Sequence, residues 1–277
     1  MDSPAWRQPT SADPVGPVGR SPVGRPADER AGIARARPVS GVVLVLLLRY
    51  QPRHCPWGWL QLASRGRSWA DAPGLRFAKV MGSGHGGGFT ARPSASHQGV
   101  IALFDGEATA REFAQGPRVA AMRARARSHW LGLLRVTSAR GAWDGMAWQA
   151  TGPTALPGPA RPPPGDAGGP VAVLTRASIR PWRAAAFWRH APPAQQALAR
   201  ASGCDLAMGL GEAPMLRQCT FSLWRDAPSL EAYARQGAHQ QAARSAQHDG
   251  FFSESMFVRM ALLDADGHWP APGALDG

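Results

Sequence analysis

The sequence predicts an α+β fold in which two ferredoxin-like repeats join their sheets into a dimeric-α/β-barrel-like domain within one chain. Two parts of the chain repeat one order of elements: strand, helix, strand, strand, helix, strand. A stretch rich in proline and glycine separates them, and 44% of the 277 residues are apolar, which is enough for a sizeable core. The longest apolar run, residues 42–48, has the length of a strand and falls far short of the roughly 20 residues that a membrane-spanning helix needs.

Each repeat opens with an apolar strand, at residues 42–50 and 171–179. A Pro-Trp pair follows in both, and its proline, Pro56 or Pro181, suits the first turn of a helix because that turn does not need the missing N–H. The remaining strands of the two repeats are predicted at 77–82 and 206–211, at 100–104 and 220–224, and at 130–137 and 255–263.

The second helix of each repeat is predicted to be stepped. Phe113 and Tyr233 occupy matching positions in these helices, and a glycine follows in both, Gly116 before a proline and Gly237. Glycine favours the left-handed conformation that ends a helix, and proline starts the next one.

Composition predicts the boundaries of these units. Residues 1–40 are expected to be a disordered tail, because they are rich in proline and glycine and lack apolar periodicity. The first repeat spans 41–149, a linker 150–170, the second repeat 171–267 and a short tail 268–277.

The charge of the chain permits two interpretations. The net charge is +12, and Lys79 is the single lysine, so nearly all the basic charge is arginine. Either this reflects GC-rich coding sequence, or it attracts the protein to an anionic surface. We expect no nucleic-acid partner, because the chain shows no recognition motif or basic run, whereas arginine and tryptophan both suit lipid headgroups.

Cysteine usage favours the cytoplasm, with peripheral attachment to the inner membrane as the alternative. Three cysteines without a CxxC spacing do not form a disulfide framework or a structural zinc site. Nothing at the start of the chain has the pattern of a signal peptide.

The segment 81–90 is rich in glycine, with Gly82, Gly84, Gly86 and Gly88 at alternate positions. A nucleotide-binding loop needs a helix directly after it, and none is predicted here. The alternatives are a hairpin connection in which the backbone approaches another part of the protein closely, and a loop that edges the entrance for a long ligand.

Two side chains are candidates for holding a cofactor. His239 lies just after the Gly237 break, where the positive end of a helix favours the neutral imidazole that a metal or haem iron binds; the alternative is a surface histidine. Arg176 lies mid-strand and needs an anion, either a haem propionate or a carboxylate such as Glu212.

Hydrolytic chemistry finds little support in the sequence. The chain has no GxSxG elbow, and Glu212 and Glu254 are isolated rather than paired. Four tryptophans lie in the first helices of the repeats and either pack in the core or line a tunnel for a long apolar ligand: Trp57, Trp59, Trp182 and Trp188. No catalytic residue is assigned.

Five segments in order resemble the spheroidene monooxygenase family, the acyclic carotenoid 2-ketolases of purple photosynthetic bacteria. They are FAKVMGSGHGGGFT at 77–90, SARGAW at 138–143, LTRASIRP at 174–181, GLGEAPMLRQCTFSLW at 209–224 and YARQGAHQQAARSAQHDGFFSESMFVR at 233–259. The resemblance covers about residues 42–263, and its final segment is the most specific.

The resemblance implies insertion of oxygen at C2 of spheroidene or hydroxyspheroidene, with O2, reduced ferredoxin and haem. It implies His239 as the axial ligand, and location on the photosynthetic membrane. The chain departs from the family pattern at two positions. Gly87 stands where the family is expected to have an acidic residue, and Ser94 stands where it is expected to have asparagine. Two other functions stay open: a non-catalytic haem or carotenoid binding protein, and a cofactor-free oxygenase on the same barrel.

Overall fold

A computed structural model of the chain describes residues 37–64, 69–151, 169–213, 215–235 and 250–270. Eight strands close into a barrel in the order β10-β5-β2-β4-β3-β8-β9-β7, and a parallel pair, β1 with β6, lies beside it. The strands are β1 Arg37–Ser40, β2 Val42–Tyr50, β3 Leu75–Gly84, β4 Pro93–Phe104, β5 Ala126–Gly141, β6 Met146–Gln149, β7 Val171–Ile179, β8 Cys204–Ala213, β9 Arg217–Trp224 and β10 Phe252–His268.

Within the described ranges, five α-helices pack on the outside of the barrel. They are α1 Cys55–Ser64, α2 Glu107–Gln115, α3 Pro117–Arg125, α4 Ala184–Ala199 and α5 Ala227–Arg235. The step predicted at Gly116 is confirmed, since α2 ends before it and α3 begins after it. The corresponding Gly237 lies outside the described residues. No helix in the described ranges is long and apolar enough to span a bilayer.

The register of the strands confirms the predicted repeat. Val42 of β2 faces Phe104 of β4, and in the second half Val171 of β7 faces Trp224 of β9. The two halves therefore share one pairing pattern, and their sheets join to close the barrel.

The two joints between the halves differ greatly in length. Strands β5 and β10 pair from Gly141↔Met256 to Trp130↔Gly267 and one residue beyond. Strands β3 and β8 share a single pair, Gly82↔Gly211. The β3–β8 joint is therefore the weaker one.

The sequence of strand β2 is almost continuously apolar because both faces of the strand are buried. Val43, Val45 and Leu47 point into the barrel core, while Leu44 and Leu46 on the opposite face pack beneath the helices of the first half. Both faces are buried, so the usual alternation of polar and apolar residues is absent.

Both terminal tails predicted from the sequence include residues that the structure places in the folded domain. Arg37–Ser40 form β1 and pair with Met146–Gln149, and Val39 packs against the barrel core. At the other end, β10 continues to His268, and Trp269 is buried. Apolar contacts on the barrel explain both differences; the predicted disorder of residues 1–36 lies outside the described residues.

Candidate functional site

Six charged side chains meet at one end of the barrel, where β8 ends and β9 and β10 begin. We call this the charged cluster: Lys79, Asp144, Arg176, Glu212, Arg217 and Glu254.

Arg176 lies at the centre of the charged cluster and is 1% exposed. Its Nη1 donates to Glu254, its Nη2 lies 3.4 Å from Asp144 Oδ1, and its Nε lies 3.6 Å from Glu212 Oε1. A buried guanidinium needs such partners, because an unpaired charge there is very costly.

The carboxylates of the charged cluster are held by further donors. Lys79 Nζ lies 3.0 Å from Glu212 Oε2, and the indole Nε1 of Trp143 donates to Glu212 Oε1 at 2.7 Å. The backbone N–H groups of Asp144 and Gly145 donate to Glu254 at 3.1 and 3.0 Å. Burial raises the pKa of Asp144, but the hydrogen bond and charge of Lys79 outweigh this and lower it overall.

The charged cluster decides between the two interpretations of Arg176. Three cations already face three carboxylates, so a haem propionate would have to displace one of them. The structure therefore favours a carboxylate as the partner of Arg176. Glu212, the carboxylate suggested from the sequence, is one of the three that surround it.

The glycine-rich segment packs across the joint between the halves. A Cβ on Gly88 would lie 2.5 Å from Gln195 of α4, and one on Gly84 would lie 2.4 Å from the Gly88 carbonyl oxygen. Gly86 has φ 62°, which favours glycine. These contacts fit the predicted close backbone approach, and Gly82, one of the four predicted entrance glycines, lines the groove described below.

Aromatic side chains follow the same segment. Phe89 stacks on Trp188 with ring centroids 5.1 Å apart, and Phe187 meets Phe89 at 6.0 Å and Phe252 at 5.8 Å. Trp188 therefore packs against another aromatic ring, whereas Trp182 is 74% exposed.

The groove beside Gly82 has a volume of about 350 Å3 and lies between α1 and the hairpin of β3 and β4. Its lining residues are Trp59, Leu62, Gly82, Pro93, Ser94, Ala95, His97 and Gln98. The sequence reasoning missed His97, whose only signal is a short polar run in an otherwise apolar strand.

A bulge in β4 positions His97. Gly82 pairs with Gln98 and Gly84 with Pro93, so residues 94–97 of β4 lie opposite Ser83 alone, three more residues than on the β3 side. The Ser94 hydroxyl holds the bulge by accepting the N–H of His97 at 3.2 Å. His97 is 4% exposed, and burial above all lowers its pKa to about 4.

The thiols are unsuited to nucleophilic chemistry. Burial raises the pKa of Cys204 to about 12 and also raises that of Cys219. A protonated, buried thiol is inert. Within the described ranges, no group of three or more His, Cys, Asp and Glu side chains is arranged to hold a metal ion.

The outer face of the second half is more exposed at its middle than that of the first half. In the first half, Leu46 and Val100 face each other across β2 and β4 and are fully buried beneath helices. Thr175 and Thr220 are the corresponding pair in β7 and β9; Thr175 is exposed and Thr220 half-buried. Among the described residues, the middle of this face is therefore more accessible in the second half than in the first.

A cation borders this open face. Phe257 of β10 is the cross-strand neighbour of Thr175, and the guanidinium of Arg140 lies 5.1 Å from the Phe257 ring. Arg140 forms no ion pair with a carboxylate of the described residues. An exposed sheet face beside a cation is compatible with a haem and its propionates; His239 itself lies outside the described residues.

Similar structures support the fold. An aldoxime dehydratase structure is 11% identical, covers 87% of this chain and 89% of its own, and has a TM-score of 0.53. An aldoxime dehydratase with butyraldoxime is also 11% identical, covers 86% of each chain and has a TM-score of 0.51. At this identity they show the barrel fold alone.

Sequence relatives identify the family. Spheroidene monooxygenase of Rubrivivax gelatinosus is 44% identical over 82% of this chain and 84% of its own length. Spheroidene monooxygenase of Rhodobacter capsulatus is 36% identical over 77% of this chain and 86% of its own. No protein-family model matches the chain. The identity and coverage confirm the resemblance seen in the sequence: the chain belongs to the spheroidene monooxygenase family.

Proposed function

We propose that this monooxygenase inserts oxygen at C2 of spheroidene or hydroxyspheroidene, using O2, reduced ferredoxin and haem. Family membership, at 44% identity over most of the chain, is the observation that carries the proposal. Two observations support it: the largely apolar groove beside Trp59, which suits part of a polyene chain, and the exposed face around Thr175, on which the haem would lie.

The reaction consists of two hydroxylations at one carbon. Each takes one O2, two electrons from reduced ferredoxin and two protons, and releases one water. The second gives a geminal diol, which loses water to form the 2-oxo carotenoid. Haem, when bound, supplies the oxygen activation that amino-acid side chains do not provide.

The chain's own residues would hold the haem on the second half. His239, four positions after the end of α5, is the proposed axial ligand. Arg140 replaces Arg176 as the proposed partner of a propionate, because Arg176 is buried among carboxylates. Thr175 and Thr220 form the floor beneath the ring.

The membrane is the proposed source of the substrate, because a carotenoid partitions into lipid. Trp59 and Leu60 of α1 are 51% and 67% exposed, next to the groove. Exposed tryptophan and leucine insert favourably at the headgroup level. We propose peripheral attachment to the inner photosynthetic membrane from the cytoplasmic side.

The test begins with the purified protein, expressed with haem supplied, and its absorption spectrum before and after dithionite. We expect a Soret band that shifts on reduction, and 2-oxo product when spheroidene, O2 and reduced ferredoxin are added. His239→Ala should lose the band, while His268→Ala, which changes an exposed histidine, should keep it.

Three results would overturn parts of the proposal. If the protein stays colourless even after hemin is added and still forms product, haem is excluded as the cofactor. The remaining interpretation is then a cofactor-free oxygenase. A Soret band without product from either substrate would exclude the reaction. An unchanged band in His239→Ala would move the axial ligand elsewhere.

Arg140 has its own test by hemin titration. Replacing it with glutamine should weaken hemin binding about three- to tenfold, the range of one charge-assisted hydrogen bond. The matched control is Arg76→Gln, an exposed arginine of the first half. Equal affinity in both variants would remove Arg140 from the site.

A further inference from the structure

Arg259 lies on the outer face of the second half, at a position that the first half fills with a buried leucine. Arg259 of β10 faces Val173 of β7 and is partly buried. The corresponding pair in the first half is Leu133 of β5 with Leu44 of β2, and Leu133 is 2% exposed. The second half therefore places a positive charge where its counterpart needs only apolar packing.

Arg140 lies next to Arg259 on the same face. Arg259 faces Ser138 of β5, and Arg140, two residues further along β5, faces Phe257 of β10. Val258, which lies between Phe257 and Arg259, belongs to the barrel core, so its two neighbours point outward. Diagonal neighbours in an antiparallel pair lie about 7–8 Å apart, which is close enough for two long side chains to hold one ligand.

The part of the chain that the structure describes offers these two arginines no anionic partner. Strands β5, β7 and β9 contain neither aspartate nor glutamate. Each of the three carboxylates of β10 is already paired: Glu254 with Arg176, Asp264 with Arg111 and Asp266 with Arg123. Two neighbouring positive charges on this face are therefore left for an anion that these four strands do not supply.

Two adjacent guanidinium groups suit a ligand with two carboxylates. The planar fork of arginine binds a carboxylate through two parallel hydrogen bonds, which a lysine does not match. Among the molecules of the proposed function, spheroidene, hydroxyspheroidene and O2 carry no negative charge. Haem carries two propionates on one edge of its ring.

We propose that Arg259 and Arg140 together bind the two propionates of the haem, one each. The inference rests on the proposed function for the presence of haem, and adds to it a second anchor and an orientation. The propionate edge lies over the β5–β10 joint, and the ring extends past Phe257 towards Thr175 and Thr220. The axes of β10, β7 and β9 together span about 10 Å, which is comparable to the width of a porphyrin ring.

The test compares hemin with hemin dimethyl ester, whose esterified propionates carry no charge. Binding to the purified protein is followed by absorbance in the same detergent for both ligands. Arg259→Gln should weaken hemin binding about three- to tenfold, and the double variant with Arg140→Gln about ten- to hundredfold. The ester should bind to wild type and to both variants with one affinity, because it offers these arginines no carboxylate.

Two further variants sharpen this comparison. Arg259→Lys keeps the charge without the fork, and should bind hemin less tightly than wild type but more tightly than Arg259→Gln. Arg127→Gln changes an exposed arginine of β5 and is the matched control, which should bind hemin as wild type does. Unchanged hemin binding in Arg259→Gln would overturn the inference, and so would equal weakening of hemin and ester, since Arg259 would then only support the fold.

Wild-type protein decides the matter if Arg259→Gln does not fold. It should bind hemin about tenfold or more tightly than the ester, and added salt should reduce this preference. Equal affinity for the two ligands would overturn the inference.

These outcomes are separable from those of the proposed function. Wild-type protein that binds neither ligand would remove haem from the proposed function, and this inference with it. Hemin binding that does not depend on Arg259 would remove the inference alone. Hemin binding that depends on both arginines, without any oxidised product, would leave Arg259 in its role and remove the reaction.

Discussion

At the scale of single residues, the buried charge of Arg176 has to be compensated by carboxylates, and this gives the residue a structural role. A guanidinium that is 1% exposed is stable only because Asp144, Glu212 and Glu254 surround it. The sequence indicated that Arg176 needs an anion but could not identify it, because its partners come from β8, from β10 and from the turn after β5. Those partners meet only when the barrel closes.

Replacing Arg176 with methionine should lower the free energy of unfolding by about 3–5 kcal/mol, because it leaves buried carboxylates uncompensated. Urea unfolding measures the change. The control Arg76→Met removes a pair whose side chains are 56% and 41% exposed, and should cost under about 1 kcal/mol. Similar small losses in both variants would contradict the central role of Arg176.

His97 gives stability a pH dependence with a definite sign. Its pKa is about 4 in the folded protein against 6.5 in an unfolded chain. As pH falls, the unfolded state takes up the proton first, so stability is constant above about pH 6.5 and decreases between 6.5 and 4. The loss reaches up to about 3 kcal/mol.

Urea unfolding at pH 7 and pH 4.5 tests this dependence. His97→Gln should lose less stability than wild type over this interval, because glutamine does not titrate, while the contribution of the carboxylates is common to both proteins. Equal losses would place His97 in a more solvated environment than the structure shows.

At the scale of elements, apolar patterning predicted the strands well. The first strand of each repeat has the predicted bounds. Strands β3, β5, β8 and β10 extend the predicted ones at both ends, and β4 and β9 extend them only at the N-terminal end. The β4 bulge was not predicted, because Ser94 stabilises it through backbone N–H groups rather than through an apolar pattern. His239 stays a prediction.

Helix α1 provides the proposed membrane contact. Changing Trp59 and Leu60 together to serine should reduce cosedimentation with anionic lipid vesicles about tenfold or more, because both side chains are exposed beside the groove. Circular dichroism should show an unchanged fold. Changing the exposed Met215, far along the chain in the β8–β9 turn, is the control; an equal reduction there would argue against a localised contact.

At the scale of the whole molecule, a repeated sequence has produced two halves with different surfaces. Both share one strand register, which explains why the repeat was recognisable from sequence. Their outer faces differ because Leu46 and Val100 correspond to Thr175 and Thr220. The difference in side-chain size, visible in the sequence once the strands are aligned, is the reason for proposing the haem on the second half rather than the first.

The β3–β8 joint should be the least stable part of the barrel. Besides the pair Gly82↔Gly211, the Ser83 hydroxyl donates to the Gly209 carbonyl at 2.5 Å. Ser83→Ala should accelerate amide hydrogen exchange in β3 and β8 and lower stability by about 1 kcal/mol, while exchange in β5 and β10 stays slow. Uniform acceleration around the barrel would contradict a local opening.

Gly82 belongs both to this joint and to the wall of the groove. If the polyene chain binds in this groove, as the proposed function suggests, it lies beside the pair of strands that separates most easily. Its residence time would then follow strand separation rather than the affinity of the groove alone. Release would show the steep temperature dependence of a local unfolding event, and a disulfide across β3 and β8 would trap the ligand without adding a single contact to it.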